Sequence, residues 1–380
     1  MLIAIVVNRV AMALITLAGV AVVVFVLLRV VPGDPVAMMI SPGAGPADIA
    51  ALKAHYGLDA PLLTQFWIWI KGVVTGDFGT SITLHVYVTE VLASRLPATL
   101  ELAMLALLVA VGWGGSIAIA GTLMRRTAGE AAIDGLNSVM LAVPDFIWAL
   151  ALVLIFAVAL PVLPLTGRID PDLAQGFATR FYLAECIVTG RFAVAGNILS
   201  HMAMPTLALA LPLAAVIVRL LKQSLKEAMV QDYVLLARIK GFRELRLVLQ
   251  EALRNAVGPT IALTGVQFTF LVGGTVIVER IFAYPGIGNL AIDAVINRDF
   301  PLIQGLVLLF GLIFILINIA VDLTVATLNP RLRHGCAGTG AKWNTGHQHR
   351  RWIAGRTRSR LRPGSRAIPK SFAPAVSSCC

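Results

Sequence analysis

The chain has 380 residues, 58% of them hydrophobic and only 13% charged, with a mean hydropathy of +0.85. A soluble domain must clothe its surface with ionisable side chains, and this composition supplies too few, so the bilayer is the solvent that suits it. The net charge of +11 belongs to one end: residues 334 to 380 carry nine Lys/Arg and no acid, so the basic balance does not argue for nucleic-acid binding by the body.

Backbone groups in lipid must find hydrogen bonds within their own segment, so apolar runs of about 20 residues read as helices. Six such runs predict an all-α integral membrane protein with six transmembrane helices: 9–31, 97–122, 136–160, 200–221, 260–281 and 303–327. The first is too long for a signal-peptide core, has only Arg9 near its start and shows no small-x-small site before Pro32, so it reads as a retained span. Pro32-Gly33-Asp34-Pro35 stops it sharply and opens loop 32–96, with three basic residues against five acids. Within that loop Gln65 to Lys71 is too short to span. Its two indoles, Trp67 and Trp69, suit either a helix in the headgroup region or one packed on the ends of the spans.

Arg125 and Arg126 end the second span, segment 219–258 holds eight basic residues, and Arg331 and Arg333 follow the sixth span, whereas loop 161–198 is balanced at three against three. By the positive-inside rule the first three regions face the cytoplasm, and both termini do too.

Ionisable groups within spans are costly and are candidates for function by default. Glu101 lies about one turn into span two, where a bond to neighbouring backbone or to an interfacial cation competes with a pathway role. Asp145, after Pro144, needs water or a partner there and suits a cationic substrate group. Asp322 lies in span six and Gln267 in span five. Gly273-Gly274 suits close helix packing, and Pro205 and Pro212 predict bends in span four. The substrate-path candidates are therefore Asp145, Glu101 and Gln267. His55, His85 and His201 lack paired acids or a nucleophile. His347 and His349 are two ligands without a set, and Cys186 is the only cysteine of the body. No catalytic constellation or metal site is expected, and no cofactor in this chain.

Between spans four and five, loop 222–258 is charged and amphipathic. It contains Gln231-Asp232-Tyr233-Val234-Leu235-Leu236-Ala237-Arg238-Ile239-Lys240-Gly241-Phe242. Asp232 caps or begins a helical turn, Ala237 offers a small side chain that lets another surface approach, and Gly241 ends the helix in a left-handed cap. A second helical run, Glu244 to Asn255, leads to Gly258-Pro259 and the next span. Helix, glycine turn, helix makes a compact knob able to transmit force as a rigid body.

Tyr233 to Gly241 resembles the coupling-loop motif of ABC importer permeases, Glu-Ala-Ala-x3-Gly. Gly241 stands for its glycine and Ala237 for its second alanine, while Leu235 and Leu236 replace its Glu and first Ala. Further segments resemble the dipeptide/oligopeptide (and nickel) branch, in the type of its first permease subunit. They are Pro32–Pro35, Tyr56-Gly57-Leu58-Asp59, Gly76-Asp77-Phe78-Gly79-Thr80-Ser81, Arg95 to Leu102, Ala252 to Ala256, Val278 to Gly288, and Arg298-Asp299-Phe300-Pro301. The resemblance runs in order over residues 1–333. It implies a type I ABC importer permease fold and residence in a bacterial inner membrane. The implied assembly has a second homologous permease subunit, two cytoplasmic ATPases that bind ATP and Mg, and an external substrate-binding protein. The coupling helix, with Asp232, Tyr233, Ala237, Arg238, Lys240 and Gly241, would sit in an ATPase groove. This chain has no Gly-x4-Gly-Lys-Ser/Thr phosphate loop, so hydrolysis falls to a partner. The cargo implied is a dipeptide, longer peptide, nickel complex, glutathione or glycoside.

Residues 334–380 are aperiodic and basic and end in Cys379-Cys380. They read as a disordered segment, a lipid-held polybasic one, or sequence translated out of the ancestral frame. An ion-gradient-driven secondary transporter and a non-transporting membrane scaffold are the alternatives to an importer permease. Inverted repeats with broken helices would favour the former, and none is clear in the sequence.

Overall fold

The computed structural model describes residues 2–30 and 60–328. The expectations for Pro32–Pro35, Tyr56–Asp59 and the 334–380 tail lie outside the described residues. The described chain is helical, with one isolated bridge between Thr80 and Tyr87.

Helix α1 (Leu2–Val30) is followed by the short α2 (Leu62–Thr75), which ends at Gly76 in the left-handed region, φ 83°. Helix α3 (Val88–Leu123) carries Pro97 near its start. Then come α4 (Ala128–Ala142), α5 (Asp145–Val153) with a π turn over Leu154–Ala159, and α6 (Tyr182–Val188). Helix α7 (Phe192–Ala228) runs unbroken through Pro205 and Pro212. After it stand α8 (Asp232–Ile239), α9 (Glu244–Ile281), α10 (Ile287–Ile296) and α11 (Phe300–Leu328).

Among the described residues four helices, α3, α7, α9 and α11, are long and apolar enough to cross a membrane, and α4 with α5 make a fifth if the bent pair is one span. Within the span expected over 136–160 the chain bends by 99° between α4 and α5. Pro144 supplies no N–H, and it holds Val143 extended at ψ 121°, because a residue before proline is kept out of the helical region.

The bundle closes around α7, which packs along α3, α9, α5, α4 and α6. Small residues set the crossings. A Cβ at Gly114 of α3 would lie 2.9 Å from the Ala214 carbonyl oxygen of α7, and one at Gly265 of α9 would overlap Val321 of α11. Hydrophobic driving force between helices vanishes in lipid, so such close approach is what gains dispersion contact.

Two buried carboxylates fasten the end of the bundle that carries α2 and α6. Asp299, wholly buried, caps α11: Leu302 N–H donates to its Oδ1 at 3.2 Å, while Ser81 Oγ and Thr83 N–H donate to its Oδ2 at 2.5 and 3.0 Å. Glu279, also wholly buried, holds the start of α10: Gly288 and Asn289 N–H donate to Oε2 at 2.8 and 3.0 Å. Thr99 Oγ1 donates to Glu279 Oε1 at 2.6 Å and accepts from Ile287 N–H at 2.9 Å. A Cβ at Gly286 would overlap the Glu279 carboxylate, which is why that turn is glycine.

At the opposite end, α7 is tied to α4 by ions. Lys222, nearly buried, reaches Asp134 at 2.6 Å and Glu130 at 3.1 Å, and Lys226 reaches Glu130 at 3.0 Å.

Candidate functional site

Helix α8 stands where α7 leaves the bundle. Gln231, extended at ψ 151°, occupies the cap position without a side-chain bond, so Asp232 begins the helix and places its charge in the first turn, where the helix dipole favours an acid. At the other end Gly241 takes φ 83°. Its N–H donates to the Arg238 carbonyl at 3.0 Å, and Phe242 N–H donates back to the Ala237 carbonyl at 3.4 Å. A left-handed residue costs an L side chain roughly 1–2 kcal/mol, so glycine at this position is a matter of backbone geometry.

Across the turn, Arg238 meets Glu244 through two bonds of 3.1 and 3.2 Å, and the Arg246 guanidinium lies 4.1 Å over the Phe242 ring. Both members of the Arg238–Glu244 pair are about half exposed, so it is worth at most about 1 kcal/mol and serves to orient the turn. Lys240 is exposed beyond it.

The eight-residue helix is two-faced. Val234 and Ala237, three apart, are buried against Leu221 and Leu225 of α7, Leu247, Val248 and Ala252 of α9, and Ala118 of α3. Leu235, Leu236 and Ile239 face outward with Tyr233 at their edge, and Ile239 is 75% exposed. The small side chain of Ala237 lets the helix lie close on the chain's own bundle. The second helical run, expected over Glu244 to Asn255, passes through Gly258-Pro259 without a break. Helix α9 is continuous from Glu244 to Ile281, with a π turn over Leu247–Ala252, so the second helix of the knob and the span are one element.

The structure separates the three polar path candidates. Glu101 is buried at the α6 end and fully engaged: Arg168 Nη2 donates to Oε2 at 2.6 Å, and Leu183 and Ala184 N–H donate to Oε1 at 3.0 and 3.2 Å. Its charge anchors the 161–191 connection to α3, and Arg168 in turn lies 4.1 Å over the Tyr182 ring. Asp145 starts α5 at the bend. Its Oδ1 accepts from Phe146 N–H at 2.8 Å, and its Oδ2 would lie 3.2 Å from a Cβ at Gly274. Gly274 thus leaves room for the carboxylate beside α9. Gln267 is half-buried on α9, with no side-chain hydrogen bond among the described residues.

His201, expected without an acid, has one. Its Nε2 lies 3.5 Å from Asp170 Oδ1 and its Nδ1 3.0 Å from the Asn197 carbonyl. Asn197 completes the set by donating to Asp170 Oδ2 at 2.6 Å. Nothing in the sequence spacing of residues 170, 197 and 201 signals this meeting, because it depends on how the 161–191 connection folds back on α7. Among the described residues no group of three or more His, Cys, Asp or Glu is placed to hold a metal ion.

Residues 91–334 match the family model described as "Binding-protein-dependent transport system inner membrane component", and residues 1–103 match its N-terminal companion. The chain is 37% identical over 319 residues to the glutathione transport system permease protein GsiC of Salmonella typhimurium, covering 84% of this chain and 95% of that one. It is 33% identical over 331 residues to the dipeptide transport system permease protein DppB of Escherichia coli K12, covering 86% and 98%. Among solved structures it is similar to the MetNI methionine ABC transporter in an inward-facing conformation. That match has 14% identity and a TM-score of 0.46, over 61% of this chain and 93% of that one.

Proposed function

This chain belongs to the family of binding-protein-dependent transport system inner membrane components, as a multi-pass permease subunit, and from that premise we propose that it forms half of an import pathway for peptides or glutathione. A second homologous permease supplies the other half, two cytoplasmic ATPases bind ATP and Mg, and an external binding protein delivers the cargo. The names of the glutathione and dipeptide permeases support that cargo class. The charge pattern of the loops supports six spans with both termini and α8 in the cytoplasm.

The observation that carries the coupling role is the two-faced α8. Its inner face, Val234 and Ala237, fixes it to α7 and α9, and its outer face of Leu235, Leu236 and Ile239 is exposed. Asp232, Tyr233, Arg238, Lys240 and Gly241 frame that face, the charged ones at its rim and Gly241 at its end. When nucleotide closes the ATPases, a partner groove pulling on α8 moves α9 with it, because α8 packs on Leu247, Val248 and Ala252 of α9 and Arg238 bonds Glu244 across the turn. Asp145 and Gln267 are the pathway residues, and Glu101 acts as an anchor of the outer connection. The 1–333 segment is the permease domain, with 334–380 outside its working part.

The test is reconstitution of the whole complex in proteoliposomes. Leu236→Asp and Ile239→Asp should abolish cargo-stimulated ATP hydrolysis and uptake while the chain still inserts and unfolds at the wild-type temperature. Wild-type uptake by both variants would overturn the assignment.

A further inference from the structure

Where α2 ends and α3 begins, a cleft of about 730 Å³ is lined by Gly76, Asp77, Tyr87, Glu90 and Arg180 among others. A second cleft, of about 560 Å³, adjoins it, and Thr89 and Ala93 line both. The second is walled by α1, α2, α3 and α11 through such residues as Leu17, Ala21, Val73, Leu92, Leu96 and Leu309. Thr89 is the one polar side chain of its lining, and its hydroxyl is already used, donating to the Gly76 carbonyl at 2.9 Å. The deep part therefore offers water nothing to bond.

The mouth is different in kind. Asp77 uses one carboxylate oxygen on Gly79 N–H at 2.9 Å, and Arg180 reaches the backbone carbonyl of Glu90 at 3.4 Å, not its carboxylate. All three charged side chains are exposed and, among the described residues, none is ion-paired with another. Two acids and one cation thus border the opening of an apolar groove. The groove follows α3, a membrane-spanning helix, from Thr89 past Ala93 to Leu96.

We infer that the two clefts together hold one glycerophospholipid whose headgroup carries both a primary amine and a phosphate. The amine sits between Asp77 and Glu90, the phosphate at Arg180, and one acyl chain runs past Ala93 into the groove. Three observations select this occupant. The polar and apolar clefts are continuous, in the order in which a lipid changes from headgroup to hydrocarbon. The excess of acids at the mouth disfavours a purely anionic headgroup, and an ammonium with three N–H donors suits two carboxylates. The apolar cleft has the volume of a bound-ligand site, about 300–1,000 Å³, where a shallow lipid-facing groove does not. This inference rests on the membrane setting of α3 and not on the coupling role of α8.

The full-length chain, exchanged into nanodiscs of equal phosphatidylethanolamine and phosphatidylglycerol and released for native mass spectrometry, should retain one lipid with the phosphatidylethanolamine mass. Ala93→Trp, at the exposed junction of the clefts, should lose that adduct. Val74→Trp should lose it too, at a groove position 81% exposed and so free of folding constraint. Glu90→Gln should retain both lipid classes equally. Absence of a retained lipid, equal retention of both classes by the unaltered chain, or an adduct that survives Val74→Trp would overturn the inference.

Discussion

Ser81 donates its hydroxyl to the Asp299 carboxylate at 2.5 Å, joining a loop ahead of α3 to the residue that caps α11 across 218 positions of sequence. Both partners are buried, and the carboxylate also accepts from Thr83 and Leu302 N–H. Removing Ser81 alone leaves two of these three donors. Removing Asp299 leaves a hydroxyl and two amides without an acceptor. Ser81→Ala should therefore cost about 1–2 kcal/mol and Asp299→Ala about 3–5 kcal/mol. Thermal unfolding of the detergent-solubilised chain reads the difference, and equal losses would refute the ranking.

Glu279 and Thr99 form a second clasp, around the start of α10, and the glycines beside it leave the carboxylate its space. A Cβ at Gly288 would come within 2.6 Å of the Val276 Cα, backbone that has no freedom to withdraw. Gly288→Ala should destabilise by about 1–3 kcal/mol through overpacking. Thr99→Val should cost about 1–3 kcal/mol by leaving Ile287 N–H unpaired. Combined with Glu279→Gln it should cost less than the sum of the two single changes, because both act on one network. An additive double-mutant cycle would show the clasp to be two independent bonds.

Gly241 holds φ 83° with open space where a Cβ would stand, so the penalty of a side chain there is conformational and not steric crowding. Gly241→Ala should cost about 1 kcal/mol, and Gly241→Val more, since a β-branched residue tolerates the left-handed region least. Both should loosen the turn between α8 and α9 and weaken coupling out of proportion to the stability lost. Uptake per ATP hydrolysed is the measurement, and a ratio equal to wild type would sink the idea. Ala237→Asp is a poorer probe, because it buries a carboxylate within the chain's own core.

Glu185 knots the 161–191 connection by accepting from Thr179 Oγ1 at 2.6 Å and from Ala178 and Thr179 N–H at 2.8 and 2.6 Å. These bonds, that of the Thr179 hydroxyl first, hold its carboxyl below the ordinary value of 4.5. A depressed carboxylate stabilises the folded connection fully above that ordinary value and loses the contribution as pH falls through the lowered one. Acidification through that lowered value should therefore speed hydrogen exchange at Ala178 and Thr179, and Glu185→Gln should speed it at neutral pH and flatten the pH dependence. Exchange in the unaltered chain that stays constant as pH falls, after correction for intrinsic rates, would refute this.

The membrane class, the helical fold and the place of the α8 knob were all legible in the sequence, because lipid allows a long apolar run few alternatives to a helix and a glycine-broken charged run stands out between two such runs. The family motifs were legible as patterns, but not their purpose. Gly76–Ser81 and Arg298–Pro301 turn out to be two halves of one clasp, and Thr99 and Glu279 two halves of another. Local sequence could not say that Asp145 begins a new helix instead of continuing a span, nor that Ala237 turns inward while Leu235 and Leu236 turn out. Side-chain direction on an eight-residue helix depends on what packs against it, and a buried carboxylate is tolerable only where distant donors converge on it. Periodicity and polarity thus determined where the long apolar helices lie, and only tertiary contact decided which polar groups are spent on holding the bundle together.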